Sequence, residues 1–196
     1  MKKKIIVPLL ILLVLVVSLG GITLFTNIVS GYFEKSEDYD SALKVFEIKY
    51  SIHKNPKTLD NIINVLGEIS NYANGDDIEY HQKMAHYCKL WIESPENADR
   101  GGWYENMVKI YLSSLIELRD NATFQTEFEK ALNNSVAPET NRLAFILRWY
   151  AQDADEQGLK WAKETTEKMF NEGYIVSDSQ QEYDDMRSVY EDIINL

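Results

Sequence analysis

Oxygen-bearing side chains alternate along one short stretch of this 196-residue chain. Asp153, Asp155 and Gln157 stand two residues apart, Gly158 follows directly, and Glu164 is the twelfth residue of the run. Carboxylate and amide oxygens are the ligands that Ca²⁺ prefers, a glycine permits a sharp turn, and a closing glutamate can bind through both of its oxygens. The spacing therefore makes Asp153, Asp155, Gln157 and Glu164 candidate calcium ligands.

This stretch resembles the calcium loop of the EF-hand family, and it falls between two predicted helices. Two positions depart from the family pattern. Gln157 is neutral where Asp or Asn is usual, and Lys160 stands where an aliphatic residue normally pairs with a second loop. An acidic helix start, stabilised by the helix dipole, explains the same residues. Calcium is thus the one cofactor that the sequence suggests, and the simpler expectation is that there is none.

A second group of residues could bind a partner protein through aromatic rings. Tyr and Trp are typical hot-spot residues of protein interfaces. Aromatic residues at helical spacing more often belong to a core, so the sequence leaves both roles open. The candidates fall across two predicted helical hairpins: Tyr80, Tyr87, Trp91, Trp103 and Tyr104.

The sequence contains no catalytic motif that we can identify. His81 and His86 are five residues apart and diverge on a helix, and no His-Glu-x-x-His run occurs. A nucleophile elbow, a phosphate-binding loop and a dinucleotide fingerprint are also missing from the sequence. The single cysteine, Cys88, has apolar neighbours that predict a small buried residue. We therefore expect a protein that is not an enzyme.

The element that places these residues in the cell is an apolar run near the N-terminus. No charged residue occurs between Lys4 and Glu34, and roughly 20 apolar helical residues are enough to cross a bilayer. Lysines at positions 2, 3 and 4 precede the run, and such residues mark the cytoplasmic side. The pattern predicts a cytoplasmic tail (1–4), a single-pass transmembrane signal anchor (5–27) and a linker (28–36).

The alternative interpretation of the apolar run is a cleaved secretory signal. Ser18 and Gly20 are spaced as a signal peptidase accepts. Apolar residues resume after them, from Ile22 to Val29, which favours an anchor that is retained. Cleavage would make the remaining protein a secreted one.

The part of the chain beyond the anchor is strongly acidic. All 31 acidic residues lie beyond residue 30, against 17 of the 20 basic ones, which leaves this part with a net charge of −14. Such a surface repels phosphate backbones, so nucleic acid is excluded as a partner. We expect residues 37–196 to form one extracytoplasmic domain.

Apolar residues in this domain recur with a period of 3.6 and predict about eight helices and no strand. Prolines and short polar turns separate the segments. Thr58 is a candidate N-cap for the second of these helices, and Ser177 or Asp178 for the last. Two of the predicted helices span about 37–53 and 103–118, and the apolar residues of the other six run over 59–72, 78–92, 124–132, 143–150, 159–170 and 183–193.

The segment from Asp38 to Glu47, followed by Pro56, resembles the second helix of a tetratricopeptide repeat. That family places a small residue where two helices touch, here Ala42, an aromatic residue one turn later, here Phe46, and a proline at the exit. The prolines that punctuate this chain are 39 and 43 residues apart, whereas the family repeats at about 34. The resemblance implies an all-α fold, an irregular solenoid of antiparallel helical hairpins. An ordinary helical bundle is the alternative.

The expected function follows from the anchor, the repeat-like hairpins and the missing catalytic motif. We expect a membrane-anchored interaction or scaffold module of the cell envelope, with an unidentified protein partner. One alternative is an extracytoplasmic helical enzyme or ligand-binding protein that acts on wall or carbohydrate material. Another is a cleaved, secreted, calcium-responsive module.

Overall fold

The computed structural model describes residues 19–72, 78–134, 139–172, 174 and 179–196 of the chain. All regular structure in these residues is helical, and no strand occurs among them. The predicted all-α fold class is therefore confirmed for the described part of the chain.

Nine α-helices follow one another in the described residues, and a short 3₁₀ turn, Pro95–Asn97, separates the fourth from the fifth. Most helix bounds agree with the predicted segments to within a few residues. The helices are α1 (Leu19–Lys35), α2 (Tyr39–Ile52), α3 (Pro56–Tyr72), α4 (Ile78–Ile92), α5 (Gly102–Glu117), α6 (Asn121–Asn134), α7 (Glu139–Asp153), α8 (Glu156–Asn171) and α9 (Gln180–Ile194).

The start of α3 differs from the sequence prediction. Pro56 is the first helical residue, and the Asn55 side chain accepts a hydrogen bond from the Lys57 N–H at 2.8 Å. Thr58 lies inside the first turn and is buried, so the prediction that it caps this helix is wrong. Proline suits the first helical position because its fixed φ angle matches the helix and its missing N–H would be unpaired there.

The last helix also begins at a different cap. The Ser179 hydroxyl accepts a hydrogen bond from the Glu182 N–H at 3.2 Å and so caps α9. Ser177 and Asp178, the predicted caps, lie outside the described residues.

The chain divides into two compact units, residues 1–80 (unit 1) and residues 81–196 (unit 2). In unit 1, α2 packs against both α1 and α3. Ala42 and Phe46 of α2 are buried, as the resemblance to a tetratricopeptide helix implies for these two positions. The apolar stripe of α3 supplies further core residues: Leu59, Ile62, Ile63, Val65 and Leu66.

The helix α1 covers part of the predicted anchor and most of the predicted linker. It continues without a break to Lys35, and Glu37 then adopts a left-handed φ of 59° in the turn before α2. Residues 1–18 of the tail and anchor lie outside the described residues. Among the described helices, none is both long enough and apolar enough to cross a bilayer.

In unit 2, α7 is the central helix and packs against α5, α6, α8 and α9. Its Tyr150 ring stacks on Phe124 of α6 with ring centroids 4.3 Å apart. The Trp161 ring of α8 packs edge-on against both rings and against Phe128. Phe124, Phe128 and Tyr150 are buried and Trp161 is half-buried, because α6, α7 and α8 each place an apolar stripe toward the same interior.

Two polar contacts show how α7 and α9 run relative to each other. Asn141 donates to the Glu182 carboxylate at 2.8 Å, and Arg148 donates to the Asp192 carboxylate at 3.1 Å. Residue numbers increase together along both helices, so α7 and α9 are parallel. Parallel neighbours two helices apart are what stacked helical hairpins produce.

Candidate functional site

A groove of about 530 Å³ opens in unit 2 between α5, α6 and α7. Its volume lies within the roughly 300–1,000 Å³ that is usual for ligand pockets. Residues from all three helices line it, together with Ile92 at the end of α4 and Ala98 in the following turn. We call this feature the groove, and its lining divides into a floor and a rim.

The floor of the groove is apolar and buried. It consists of Tyr111 and Leu112 of α5 and Leu143 and Ile146 of α7, each at most 5% exposed. The helix α5 carries buried residues on several sides, which is why one of its faces can pack into the core while another lines the groove.

The rim of the groove carries paired charges. The Arg142 guanidinium lies 2.9 Å from the Glu105 carboxylate and links α7 to α5. The Glu127 carboxylate of α6 lies 3.5 Å from the Lys130 ammonium and 3.7 Å from that of Lys89. Lys109 lies on the same rim, and among the described residues it has no carboxylate partner.

Tyr111 is the polar residue of the floor. Burial, together with the negative charges of Glu127, Glu93 and Asp120, raises the pKa of Tyr111 to about 12. The phenol is therefore protonated at neutral pH and can donate a hydrogen bond. Among the described residues its hydroxyl has no hydrogen-bond partner. A bound molecule could accept this hydrogen bond while covering the apolar floor.

The structure separates the five aromatic residues that the sequence singles out. Trp91 is fully buried, and the Arg100 guanidinium lies 5.1 Å from its ring centroid. Tyr104 lines the groove, with its ring 6.3 Å from that of Trp91. Trp103 is 55% exposed at the start of α5. Of the five aromatic candidates, Tyr104 alone lines the groove.

The other two aromatic candidates, Tyr80 and Tyr87, are not among the residues that line the groove. Tyr87 is half-buried on α4 and packs edge-on against the His86 ring, with centroids 5.0 Å apart. Tyr80 is half-buried near the start of the same helix, in the part that belongs to unit 1.

The four candidate calcium ligands are spread along a helix junction. Asp153 ends α7, and Asp155 caps α8 by accepting a hydrogen bond from the Gly158 N–H at 2.7 Å. Gln157 is exposed in the first turn of α8. Glu164 lies eight residues beyond Glu156 along that helix, a rise of about 12 Å, and pairs with Lys160 at 3.9 Å.

The residues 153–164 therefore form a helix end and a helix start, where a calcium loop would curl around its ion. Among the described residues, no group of three or more His, Cys, Asp or Glu side chains is placed to hold a metal ion.

Cys88 is buried, as the sequence predicts, and its Sγ lies 3.7 Å from the Met84 Sδ. Burial raises the pKa of the Cys88 thiol to about 12, so the thiolate that would act as a nucleophile or metal ligand is disfavoured.

The sequence did not single out Tyr111, Glu105, Lys109 or Arg142 as binding residues. In the sequence, the position of Tyr111 predicts one more core residue of a central helix, and the positions of the charged residues predict solvated helix faces. These residues can be identified as a site only from the tertiary structure, because the groove forms where three helices that are separate in sequence come together.

The fold and this groove define a class, an all-α protein with a ligand-sized groove between helices. The chain matches no protein-family model, no curated protein and no solved structure with which it was compared.

Proposed function

We propose that this protein is a membrane-anchored interaction module that binds a segment of a partner protein in the groove of unit 2. The observation that carries the proposal is the groove itself, with a buried apolar floor and a charged rim. Protein interfaces share this composition, an apolar centre with aromatic residues inside a polar border. Tyr104 and Tyr111 supply the aromatic surface, and Lys109 supplies an uncompensated charge at the border.

The membrane anchor in this proposal is residues 5–27, held with residues 1–4 in the cytoplasm and the helical units on the other side. Its support is the uncharged run between Lys4 and Glu34 and the three lysines before it. The tetratricopeptide-like arrangement is supported by buried Ala42 and Phe46 in unit 1 and by the parallel pair α7 and α9 in unit 2.

Binding suits the groove better than hydrolysis of a carbohydrate does. A glycoside hydrolase needs one carboxylic acid that holds a proton and a second that stays ionised. The two carboxylates of the groove, Glu105 and Glu127, are each paired with a basic side chain.

Site-specific photocrosslinking tests this proposal. A benzophenone amino acid replaces Asn106, an exposed residue of the groove, or Gln152, an exposed residue near the end of α7 outside the groove lining. Illumination of intact membranes should give a discrete adduct from position 106 and none from position 152.

The adduct should also depend on the floor of the groove. Tyr111→Phe removes only the hydroxyl and should weaken the adduct at position 106, because the hydrogen bond to the partner is lost. Identical adduct patterns from positions 106 and 152 would show that the groove is not the binding surface.

A further inference from the structure

One contact sets the register of the helical hairpin formed by α1 and α2. The Lys49 ammonium donates a hydrogen bond to the Asn27 side-chain oxygen, across 22 residues of sequence. Only three residues join α1 to α2, so the two helices run antiparallel and residues 27 and 49 lie at the same level. A helix rises 1.5 Å per residue, which places Ile52 about 4.5 Å beyond that level, opposite residue 24 or so.

Because of this register, the end of α2 lies at the level of the proposed anchor. Residue 24 lies within the segment 5–27, whose outer end is at residue 27. The end of α2 and the start of α3 therefore lie beside the outer end of the anchor. We call residues 48–57 the α2–α3 corner.

The α2–α3 corner exposes apolar side chains on one face. Ile48 is 57% exposed and Ile52 is 46% exposed, and they lie one helical turn apart. On α1, Ile28 is 65% exposed and Tyr32 is 68% exposed, just past the end of the anchor. Tyrosine is enriched at the boundary between membrane and water.

The same corner is basic in an otherwise acidic chain. The net charge of the chain is −11, yet residues 48–57 contain Lys49, Lys54 and Lys57 and no acidic residue. Lys54 and Lys57 are exposed, and the Lys54 ammonium lies 4.5 Å from the Tyr50 ring centroid. Burial, and then the charge of Lys57, lowers the pKa of Lys49.

We propose that the α2–α3 corner lies on the surface of the membrane that holds the anchor, with Ile48 and Ile52 at the acyl boundary and Lys54 and Lys57 on anionic lipid headgroups. The inference rests on the anchor of the proposed function. Exposed aliphatic residues flanked by lysines are what interfacial helices use to bind anionic bilayers. The corner thus gives unit 1 a second attachment to the bilayer beside the anchor.

The register favours lipid over a protein as the occupant. A protein partner could cover the same isoleucines, but the depth of Ile52 follows from the Asn27 contact and the position of the anchor alone. The lysines add charge complementarity with anionic headgroups, at about 1 kcal/mol, or roughly a fivefold change in binding, for each lysine near such a surface.

Spin labelling of the full chain in vesicles tests the proposal. A nitroxide is attached at Ile52→Cys or at Asp40→Cys, both in a Cys88→Ala background. Asp40 is the matched control, because it is exposed on the same helix and lies nine residues, about 13 Å, from the level of Lys49. Vesicles contain phosphatidylcholine alone or an equal mixture with phosphatidylglycerol.

In the mixed vesicles, the label at position 52 should collide with oxygen more than with a water-soluble nickel chelate, and the label at position 40 should show the reverse. Lys54→Gln with Lys57→Gln should reduce the protection at position 52 severalfold in the mixed vesicles and leave it unchanged in phosphatidylcholine.

Failure of this inference and failure of the anchor give different results. Extraction of the unlabelled chain from vesicles by alkaline carbonate would contradict the anchor. Retention of the chain with equal nickel accessibility at positions 52 and 40 would overturn the surface contact alone. Protection at position 52 in native membranes but not in lipid vesicles would assign the corner to a protein partner and also overturn the proposal.

Discussion

The Arg142 guanidinium donates to the Glu105 carboxylate at 2.9 Å and joins α7 to α5 at the rim of the groove. On the same helix, Arg148 pairs with Asp192 of α9 at 3.1 Å, outside the groove lining. The two arginines make the same kind of exposed ion pair. A molecule bound in the groove would contact Arg142 and would not contact Arg148.

Replacement of either arginine by alanine should cost little stability. Exposed ion pairs contribute at most about 1 kcal/mol, so Arg142→Ala and Arg148→Ala should each lower the free energy of unfolding of unit 2 by less than that. Urea titration followed by tryptophan fluorescence measures it, because all four tryptophans lie within residues 81–196 and report on unit 2. Arg142→Ala should also weaken the photocrosslink at position 106. An equal loss from Arg148→Ala would contradict a role for the groove rim.

The stability of unit 2 should fall at high pH, because burial disfavours the ionised forms of the Tyr111 phenol and the Cys88 thiol. The pKa of Tyr111 rises from 10.0 to about 12, and that of Cys88 rises from 9.0 to about 12, in both cases first through burial. When a group has a higher pKa in the folded state than in the unfolded state, its contribution to stability is fully present below the unfolded-state pKa. That contribution is lost as the pH rises toward the folded-state pKa. The free energy of unfolding of unit 2 should therefore decline from about pH 9 upward.

The variants Tyr111→Phe and Cys88→Ala should each flatten this decline, measured by urea titration at a series of pH values. A decline that is identical in the wild type and in both variants would show that other groups cause it.

Gly158→Ala should destabilise unit 2. A Cβ at Gly158 would lie 2.5 Å from the Tyr150 hydroxyl oxygen and 3.0 Å from the Ala154 Cβ, so Tyr150 would have to move and weaken its hydrogen bond with Gln125. Overpacking of this kind costs about 1–3 kcal/mol. The matched control is Gly102→Ala, where a Cβ meets nothing within 4 Å. We expect the control to leave the urea midpoint unchanged or slightly raised, and equal midpoints for both variants would refute the close contact.

Asp155→Ala should remove a helix cap. The Asp155 side chain accepts a hydrogen bond from the Gly158 N–H, and loss of such a cap costs about 1 kcal/mol. Asp153→Ala is the control, because an acidic residue at the end of a helix is opposed by the helix dipole and its loss should be neutral. The cost of Asp155→Ala should be the same in millimolar calcium and in chelator.

Calorimetry of the wild-type chain with calcium decides between a cap and a metal ligand at this junction. A calcium-dependent heat that both aspartate variants abolish would establish metal binding there and contradict the simple cap.

The fold class and the helix positions follow from the sequence, because the period of apolar residues depends on local geometry. The stripe from Leu59 to Leu66 is apolar every three or four residues, and α3 buries that stripe. Helix ends were harder to predict: Thr58 and Asn55 can both cap a helix, and the backbone of Pro56 decides between them. Nothing in a local pattern tells Trp91, which is fully buried, from Trp103, which is 55% exposed.

By itself the sequence determined that the chain is helical in its described part, that its surface is acidic, and that Ala42, Phe46 and Cys88 are buried. Tertiary structure alone decided that Tyr104, Tyr111 and Arg142 line one groove. The physical reason is distance along the chain. Helix periodicity arises from residues three or four positions apart, whereas a groove needs side chains from α5, α6 and α7, whose approach depends on how whole helices pack.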